Sequence, residues 1–167
     1  MAVAGQKAHN DGRRPRLHVS HLRERIIVKL DTGFLERCIQ TLEAALDRLH
    51  AAEGDALTHD IFRAACVKEF EIILEQCSVL LRKRLRAYMA SNRQADQLAF
   101  KPIFRQAARH GLITAAECER WLEYRNQRNN TAHLYGEETP EAILGLLPAF
   151  VVDARSLATT ISTPVDE

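Results

Sequence analysis

Apolar residues recur at every third or fourth position along this sequence, and this spacing constrains the fold more than any other feature. Side chains three and four positions apart lie on one face of an α-helix, so each such stretch predicts a helix with one buried face. The first stretch carries Leu35, Ile39, Leu42, Leu46 and Leu49. Only 7 glycines and 5 prolines occur in 167 residues, which favours long helices over a turn-rich β fold.

Capping residues predict where the first two helices begin and end. Asp31 or Thr32 can cap the first helix, and Gly54 can end it. A second, longer helix is predicted to begin near Thr58. Its buried stripe consists of Phe62, Cys66, Phe70, Ile73, Cys77 and Leu81.

Residues 91–100 are predicted to be a polar connection to the second half of the chain. Pro102 can open a short helix that Gly111 closes. Thr114 and Glu117 have the spacing of a capping box, which predicts a further helix running to about Tyr135.

The last helix is predicted to begin at Thr139 and Pro140, after a stop at Gly136. Its apolar face consists of Ile143, Leu147, Phe150, Ala154, Leu157 and Ile161. Pro148 lies inside this stretch and should kink the helix or remove one backbone hydrogen bond. The pattern as a whole predicts an all-α fold, an antiparallel up-and-down bundle of four to five helices.

The N-terminal region has a different composition. Residues 1–18 are polar and basic, so we expect a disordered tail followed by one helical domain at 19–167. The tail is either a solvated extension or an arm that contacts RNA. The apolar residues 26–28 are compatible with a short strand or an extra helical turn.

Cysteine spacing and hydropathy exclude several classes of protein. The chain has four cysteines and none has C-x-x-C spacing, which argues against a zinc site. Cys66 and Cys77 are too far apart on one helix for a disulfide, so we expect buried thiols in a reducing cytoplasm. No apolar run approaches ~18 residues, and no signal core is present. We therefore expect a soluble, cytoplasmic protein that needs no metal and no cofactor.

Residues 124–135 break the pattern of an ordinary bundle helix. They hold three Asn, two Arg, one His and two Tyr, although Asn and Thr are poor residues for a helix interior. Such an exception indicates a candidate site. Asn129 and His133 are four positions apart and share a helix face, and the long side chain of Arg128 can reach a phosphate held near His133. Thr131 and Tyr135 form a second pair at this spacing.

These side chains can cleave RNA without a metal ion. His133 can transfer a proton near neutral pH, Arg128 can hold a phosphate and stabilise developing negative charge, and Asn129 can orient the imidazole. RNA supplies the nucleophile, its 2′-hydroxyl. The alternative interpretation is a polar helix face that makes hydrogen bonds within the bundle or a dimer.

Several other polar residues each allow two interpretations. Glu71 and Glu75 either lie on a solvated face, paired with Arg82 or Lys68, or brace an arginine of the motif. The basic run formed by Arg82, Lys83, Arg84 and Arg86 either complements the helix dipole or contacts phosphate. Trp121 and Tyr124 either pack in a core or dimer interface or stack on bases.

The segment 128–135, Arg-Asn-Asn-Thr-Ala-His-Leu-Tyr, resembles the RNxxxHxY motif of HEPN proteins. Residues 31–162 resemble the nucleotidyltransferase substrate-binding family and its relatives, the HepT-like toxins. The resemblance also includes Phe70-Glu71 with Glu75, residues 102–113, Trp121, residues 125–129 and residues 147–150. One departure is Ser78-Val79, where the family often has Trp-Lys.

The resemblance implies a homodimer in which two motif helices face one another. It implies a metal-independent ribonuclease of a toxin–antitoxin pair, with Arg128, His133 and Asn129 catalytic and Arg125, Thr131, Glu71 and Glu75 in support. It also implies a partner, a cognate minimal nucleotidyltransferase antitoxin that adenylylates Tyr135. RNA is the expected substrate, and neither DNA nor a membrane is an expected partner.

Two other functions fit the same residues. The chain is alternatively a non-catalytic nucleotide- or substrate-binding subunit of a nucleotidyltransferase complex, or a purely structural helical adaptor.

Overall fold

One long helix lies at the centre of the fold. The computed structural model describes residues 29–52, 54–133 and 142–164, without the side chains of residues 131–133. In these ranges the helices are α1 (Gly33–Ala51), α2 (Ala56–Leu85), α3 (Asn92–Asp96), α4 (Phe100–Arg109), α5 (Ala115–His133) and α6 (Leu147–Ser162). The 30-residue α2 contacts each of the other five. The all-α bundle predicted from the sequence is confirmed.

The first two helices form an antiparallel hairpin with well-defined caps. Asp31 Oδ1 accepts the N–H of Gly33 at 2.8 Å. Gly54, between the helices, has a φ of 93°, which few other residues adopt. Asp55 then caps α2 by accepting the N–H of Thr58 at 3.2 Å. α2 therefore begins at Ala56, two residues before the predicted start.

The capping box at the start of α5 is confirmed. The Thr114 hydroxyl accepts the N–H of Glu117 at 3.1 Å, and Glu117 Oε2 accepts the N–H of Thr114 at 2.7 Å. Gly111 closes α4 with a φ of 70°, as predicted. The connection at 91–100 differs from the prediction, because Ser91 caps the short helix α3 by accepting the N–H of Gln94.

The last helix begins later than the sequence predicts. It starts at Leu147, so Pro148 lies in its first turn, where a missing N–H costs no hydrogen bond. The predicted kink at Pro148 is therefore wrong. Residues 142–144 form a separate helical turn, and Leu146 donates its N–H to the carbonyl of Ile143 at 2.8 Å.

The predicted apolar faces meet in one core. All the predicted positions are buried except Leu46 and Phe62, which are half-buried at its edge. Aromatic rings fill the centre: Phe70 packs edge-on against Phe150 at 4.7 Å, and Trp121 stacks on Phe104 at 4.9 Å between ring centroids. α2, α4, α5 and α6 thus share one aromatic cluster.

All four cysteines are free and buried, as predicted. Burial in an apolar environment raises the pKa of the Cys66 thiol to about 11. No helix in the described ranges is both long enough and apolar enough to cross a bilayer.

Several predictions fall on residues outside the described ranges. These are the tail at 1–18, the start of the domain at residue 19, the apolar residues 26–28, and Tyr135, Gly136, Thr139 and Pro140. The division of the chain at residue 18 remains a prediction.

A buried carboxylate ties α5 to α6. Asp153 is only 5% exposed and accepts two hydrogen bonds from the Arg120 guanidinium, each 2.7 Å long. The Tyr124 hydroxyl donates a third to Asp153 Oδ2 at 2.7 Å. Burial, and after it the bond to Asp153, raises the pKa of Tyr124 well above its usual range. The tyrosine therefore remains a neutral donor.

Replacing Arg120 should destabilise the protein strongly, because a buried charge would lose its partner. We expect Arg120→Gln to lower the free energy of unfolding by about 3 kcal/mol. The matched control is Arg155→Gln, which breaks an equivalent two-bond pair with Glu43 at the surface. That variant should lose no more than about 1 kcal/mol. Urea denaturation of both variants is the measurement, and equal losses would contradict a special role for the Asp153 cluster.

Candidate functional site

The C-terminal half of α5 lies against the middle of α2. Arg125 Nη1 is 3.7 Å from Glu75 Oε2, and Arg128 Nε is 3.8 Å from Glu71 Oε1. Arg128 follows Arg125 by three residues on α5, whereas its partner Glu71 precedes Glu75 by four residues on α2. The two helices are antiparallel here, and two arginines face two carboxylates.

Glu71 and Glu75 do brace arginines of the motif helix. Glu71 also lies 3.6 Å from Lys68 Nζ, so the alternative pairing with Lys68 is present as well. Arg82, the other candidate partner, instead donates to the carbonyl of Leu98 at 3.2 Å. The sequence could not decide between these pairings, because the choice depends on where α5 crosses α2.

Arg128 is anchored but accessible. Its side chain is 38% exposed, and the 3.8 Å distance to Glu71 is that of an ion pair rather than a hydrogen bond. A long-distance pair between partly solvated groups contributes little stability and is weakened by salt. An incoming phosphate can therefore compete with Glu71 for this guanidinium.

Arg125 is held on two sides. Its guanidinium carbon lies 4.9 Å from the centre of the Phe100 ring, a cation–π contact with another helix. Glu75 lies beside it, and the side chain is 26% exposed. In the part of the chain that the structure describes, no acceptor lies within hydrogen-bond distance of this guanidinium. Nothing in the sequence pointed to Phe100, which belongs to a different helix.

The structure describes the rest of the motif only in part. Asn129 is exposed, and the backbone of α5 continues unbroken to His133, so these two residues occupy one helix face. The side chains of Thr131 and His133 lie outside the description, as does all of Tyr135. Their roles therefore remain predictions.

The aromatic pair of α5 serves the core. Trp121 is 1% exposed and Tyr124 is 2% exposed, and both rings contact Phe150. This supports packing within the core over base stacking.

The basic end of α2 does not form a shared phosphate patch. Arg86 binds Asp96 with two hydrogen bonds of 2.9 and 2.7 Å, Arg82 holds Leu98, and Arg84 is buried. Two of the four cations are thus hydrogen-bonded within the fold and a third is buried, which favours the structural interpretation. At the position where the sequence departs from the family, Ser78 is buried and donates to the carbonyl of Glu75 at 2.9 Å.

The arrangement can bind anions. Two partly exposed guanidiniums, 26% for Arg125 and 38% for Arg128, lie about one helical turn apart, and the carboxylates that face them are 3.7 and 3.8 Å away. Among the described residues, no three His, Cys, Asp or Glu side chains are grouped closely enough to hold a metal ion.

Comparisons with known proteins identify relatives over most of the chain. The family model described as "Nucleotidyltransferase substrate binding protein like" matches residues 31–163. The protein named probable ribonuclease HepT of Haemophilus influenzae is 26% identical over 133 residues, which is 77% of this chain and 90% of that protein.

Two solved structures share the fold. One, from Haemophilus influenzae, is described as the fold of a substrate binding domain of a nucleotidyltransferase. It superposes with a TM-score of 0.71 at 22% identity, over 80% of this chain and all of that one. The other, from Thermus thermophilus, has a TM-score of 0.63 at 22% identity and covers 77% of this chain and 99% of its own.

The arginine–carboxylate pairs should contribute little to stability, because both partners are partly solvated. We expect Glu71→Gln and Arg128→Gln each to change the free energy of unfolding by no more than about 1 kcal/mol. Urea denaturation measures both. A loss as large as that expected for Arg120→Gln would instead mean that these residues hold the bundle together, as a structural adaptor requires.

Proposed function

Because the chain belongs to the nucleotidyltransferase substrate-binding protein-like family, we propose that it is a metal-independent RNA endonuclease with its working site at residues 128–135. It acts as the toxin of a cytoplasmic toxin–antitoxin pair, and a cognate minimal nucleotidyltransferase silences it. The observation that carries the proposal is the placement of Arg128. This cation is 38% exposed, lies 3.8 Å from Glu71 Oε1, and precedes His133 by five residues on the same helix.

The relationship to the ribonuclease supports an RNA substrate. The match to probable ribonuclease HepT spans 90% of that protein, so it includes more than a short motif. DNA lacks the 2′-hydroxyl that serves as nucleophile and is not a substrate.

The reaction is an attack by RNA on itself. His133 takes the proton of a 2′-hydroxyl, whose oxygen forms a bond to the adjacent phosphorus while the bond to the 5′-oxygen breaks. Arg128 binds the non-bridging oxygens and stabilises the charge that develops on them. The leaving 5′-oxygen receives a proton, and the products are a 2′,3′-cyclic phosphate and a 5′-hydroxyl. Asn129 orients the imidazole.

A homodimer supplies the second proton-transfer group. One proton is removed and another delivered on opposite sides of the phosphorus, and two copies of His133 facing one cleft can divide these tasks. Thr131, Arg125, Glu71 and Glu75 support the motif.

Adenylylation of Tyr135 is the off-switch. The tyrosine oxygen attacks the α-phosphate of ATP in the partner enzyme and releases pyrophosphate, which leaves AMP on the ring. The added phosphate brings negative charge close to Arg128 and occupies the place of an RNA phosphate.

The second candidate is a non-catalytic subunit that binds nucleotide for a nucleotidyltransferase. The family description and the related Haemophilus influenzae structure, both of which name substrate binding, favour it. In that case Arg128 and Arg125 hold a phosphate and no bond is broken.

RNA cleavage in EDTA, with intact mass recorded for every preparation, tests the proposal. We expect the unmodified protein to cleave RNA and His133→Ala to be at least about 100-fold slower, the usual contribution of a general acid–base group. The control is His50→Ala, which changes an exposed histidine at the end of α1 and should cleave normally.

The mass separates the remaining outcomes. No cleavage by protein of unmodified mass would favour the binding subunit. An inactive preparation heavier by one AMP would support the switch at Tyr135. In that case Tyr135→Phe should lack the added mass and should cleave RNA.

A further inference from the structure

Arg125 takes no part in the bond-making and bond-breaking steps of the reaction proposed above. One arginine suffices for the scissile phosphate, yet the fold holds a second guanidinium one turn before Arg128 on the same side of α5. Phe100, from α4, and Glu75, from α2, both contact it. Two other helices thus position this side chain, and Glu75, the described carboxylate beside it, is 3.7 Å away, so a phosphate can compete for the guanidinium.

We propose that Arg125 forms a second phosphate subsite, which binds the phosphate next to the scissile one on a single-stranded RNA. This inference rests on the proposed function of Arg128. The β-carbons of residues three apart on a helix are about 5 to 6 Å apart, so each guanidinium can meet a different phosphate of one strand. The site then requires at least two consecutive phosphodiesters for full affinity.

The contact with Phe100 helps to position Arg125 for a phosphate independently of its ion pair with Glu75. The guanidinium carbon lies 4.9 Å from the centre of the ring, and 26% of the side chain is exposed, so a phosphate can approach its N–H groups. Glu75 is 3.7 Å away and largely exposed, so it can turn into solvent when a phosphate arrives. Glu75 thus serves as a resident counter-charge that the RNA displaces.

Glu71 has the same relation to Arg128. Two arginines of α5 therefore face two displaceable carboxylates of α2 where the two helices cross. An RNA strand that binds both arginines replaces their ion pairs with Glu75 and Glu71 by charge-assisted hydrogen bonds.

Binding of a trinucleotide tests the subsite without any cleavage. The probe is 2′-O-methyl UpUpU, which lacks the nucleophile, together with two analogues in which one linkage or the other is an uncharged methylphosphonate. For the parent protein we expect neutralising either linkage to weaken binding about tenfold, the value of one charge-assisted hydrogen bond. Arg125→Gln should bind the fully charged probe about tenfold more weakly than the parent protein does. One of the two methylphosphonate analogues should then bind this variant as tightly as the fully charged probe.

Salt dependence provides a second measure. The slope of log affinity against log salt should fall by about 0.7 for Arg125→Gln, the contribution of one phosphate on a single strand. Arg109→Gln removes an exposed cation at the end of α4 and should leave both the affinity and the slope unchanged. Thermal unfolding shows that each variant is folded.

Glu75→Gln gives a test in the opposite direction. Without its competitor, Arg125 should bind the fully charged trinucleotide about threefold more tightly, and the gain should vanish for the analogue that lacks the adjacent phosphate. Glu119→Gln removes a carboxylate from another face of α5 and controls for the change in net charge. Equal gains from the two variants would overturn the counter-charge role.

The subsite itself is overturned if Arg125→Gln weakens all three probes equally. It is also overturned if Arg125→Gln weakens the binding of ADP relative to AMP but binds the three trinucleotides as tightly as the parent protein does. If the parent protein cleaves RNA but the probes show no dependence on Arg125, the subsite fails alone. If the dependence is present and RNA remains intact, the ribonuclease proposal fails and the subsite stands.

Discussion

The rotation of α5 about its axis depends on one buried carboxylate. Asp153 binds Arg120 and Tyr124, which are four residues apart and therefore lie on one side of α5. An ionised group with so little exposure is tolerated only when its oxygens are fully hydrogen-bonded, and three bonds of 2.7 Å meet that condition. Any other rotation of α5 would leave the charge without partners, so the cluster selects a single orientation.

That orientation positions the candidate site. Arg125 follows the buried Trp121 by four residues, and Arg128 follows the buried Tyr124 by the same interval. One side of α5 therefore carries buried aromatic residues in the core. Four residues further along, at the edge of the core, the same side carries arginines. The geometry of the candidate site is therefore a consequence of core packing one turn earlier.

The ion pair of Asp153 differs from those of Glu71 and Glu75 in its distance and in the burial of its carboxylate. The carboxylate of Asp153 is buried and receives two parallel hydrogen bonds from Arg120, which is itself 44% exposed, whereas the Glu71 and Glu75 pairs are longer and their carboxylates are partly solvated. A tight pair at Arg128 would hold the guanidinium still but would also compete with every incoming phosphate. The longer pair with Glu71 joins two partly solvated groups, so a ligand can displace the carboxylate at little energetic cost.

The sequence could predict what depends on local spacing and not what depends on how distant segments meet. Helix periodicity and the Thr114–Glu117 capping box follow from residues within a few positions of one another, and both predictions were correct. Pro148 was misplaced because its effect depends on whether the helix has already begun, and the same residue is favourable in a first turn and harmful in an interior one. Phe100 and Asp153 were missed for a related reason, since a phenylalanine or an aspartate becomes a site residue only when another helix supplies its arginine. The composition of residues 124–135 did single out the candidate site, because polar residues that weaken a helix interior break the local pattern and so mark a segment for closer attention.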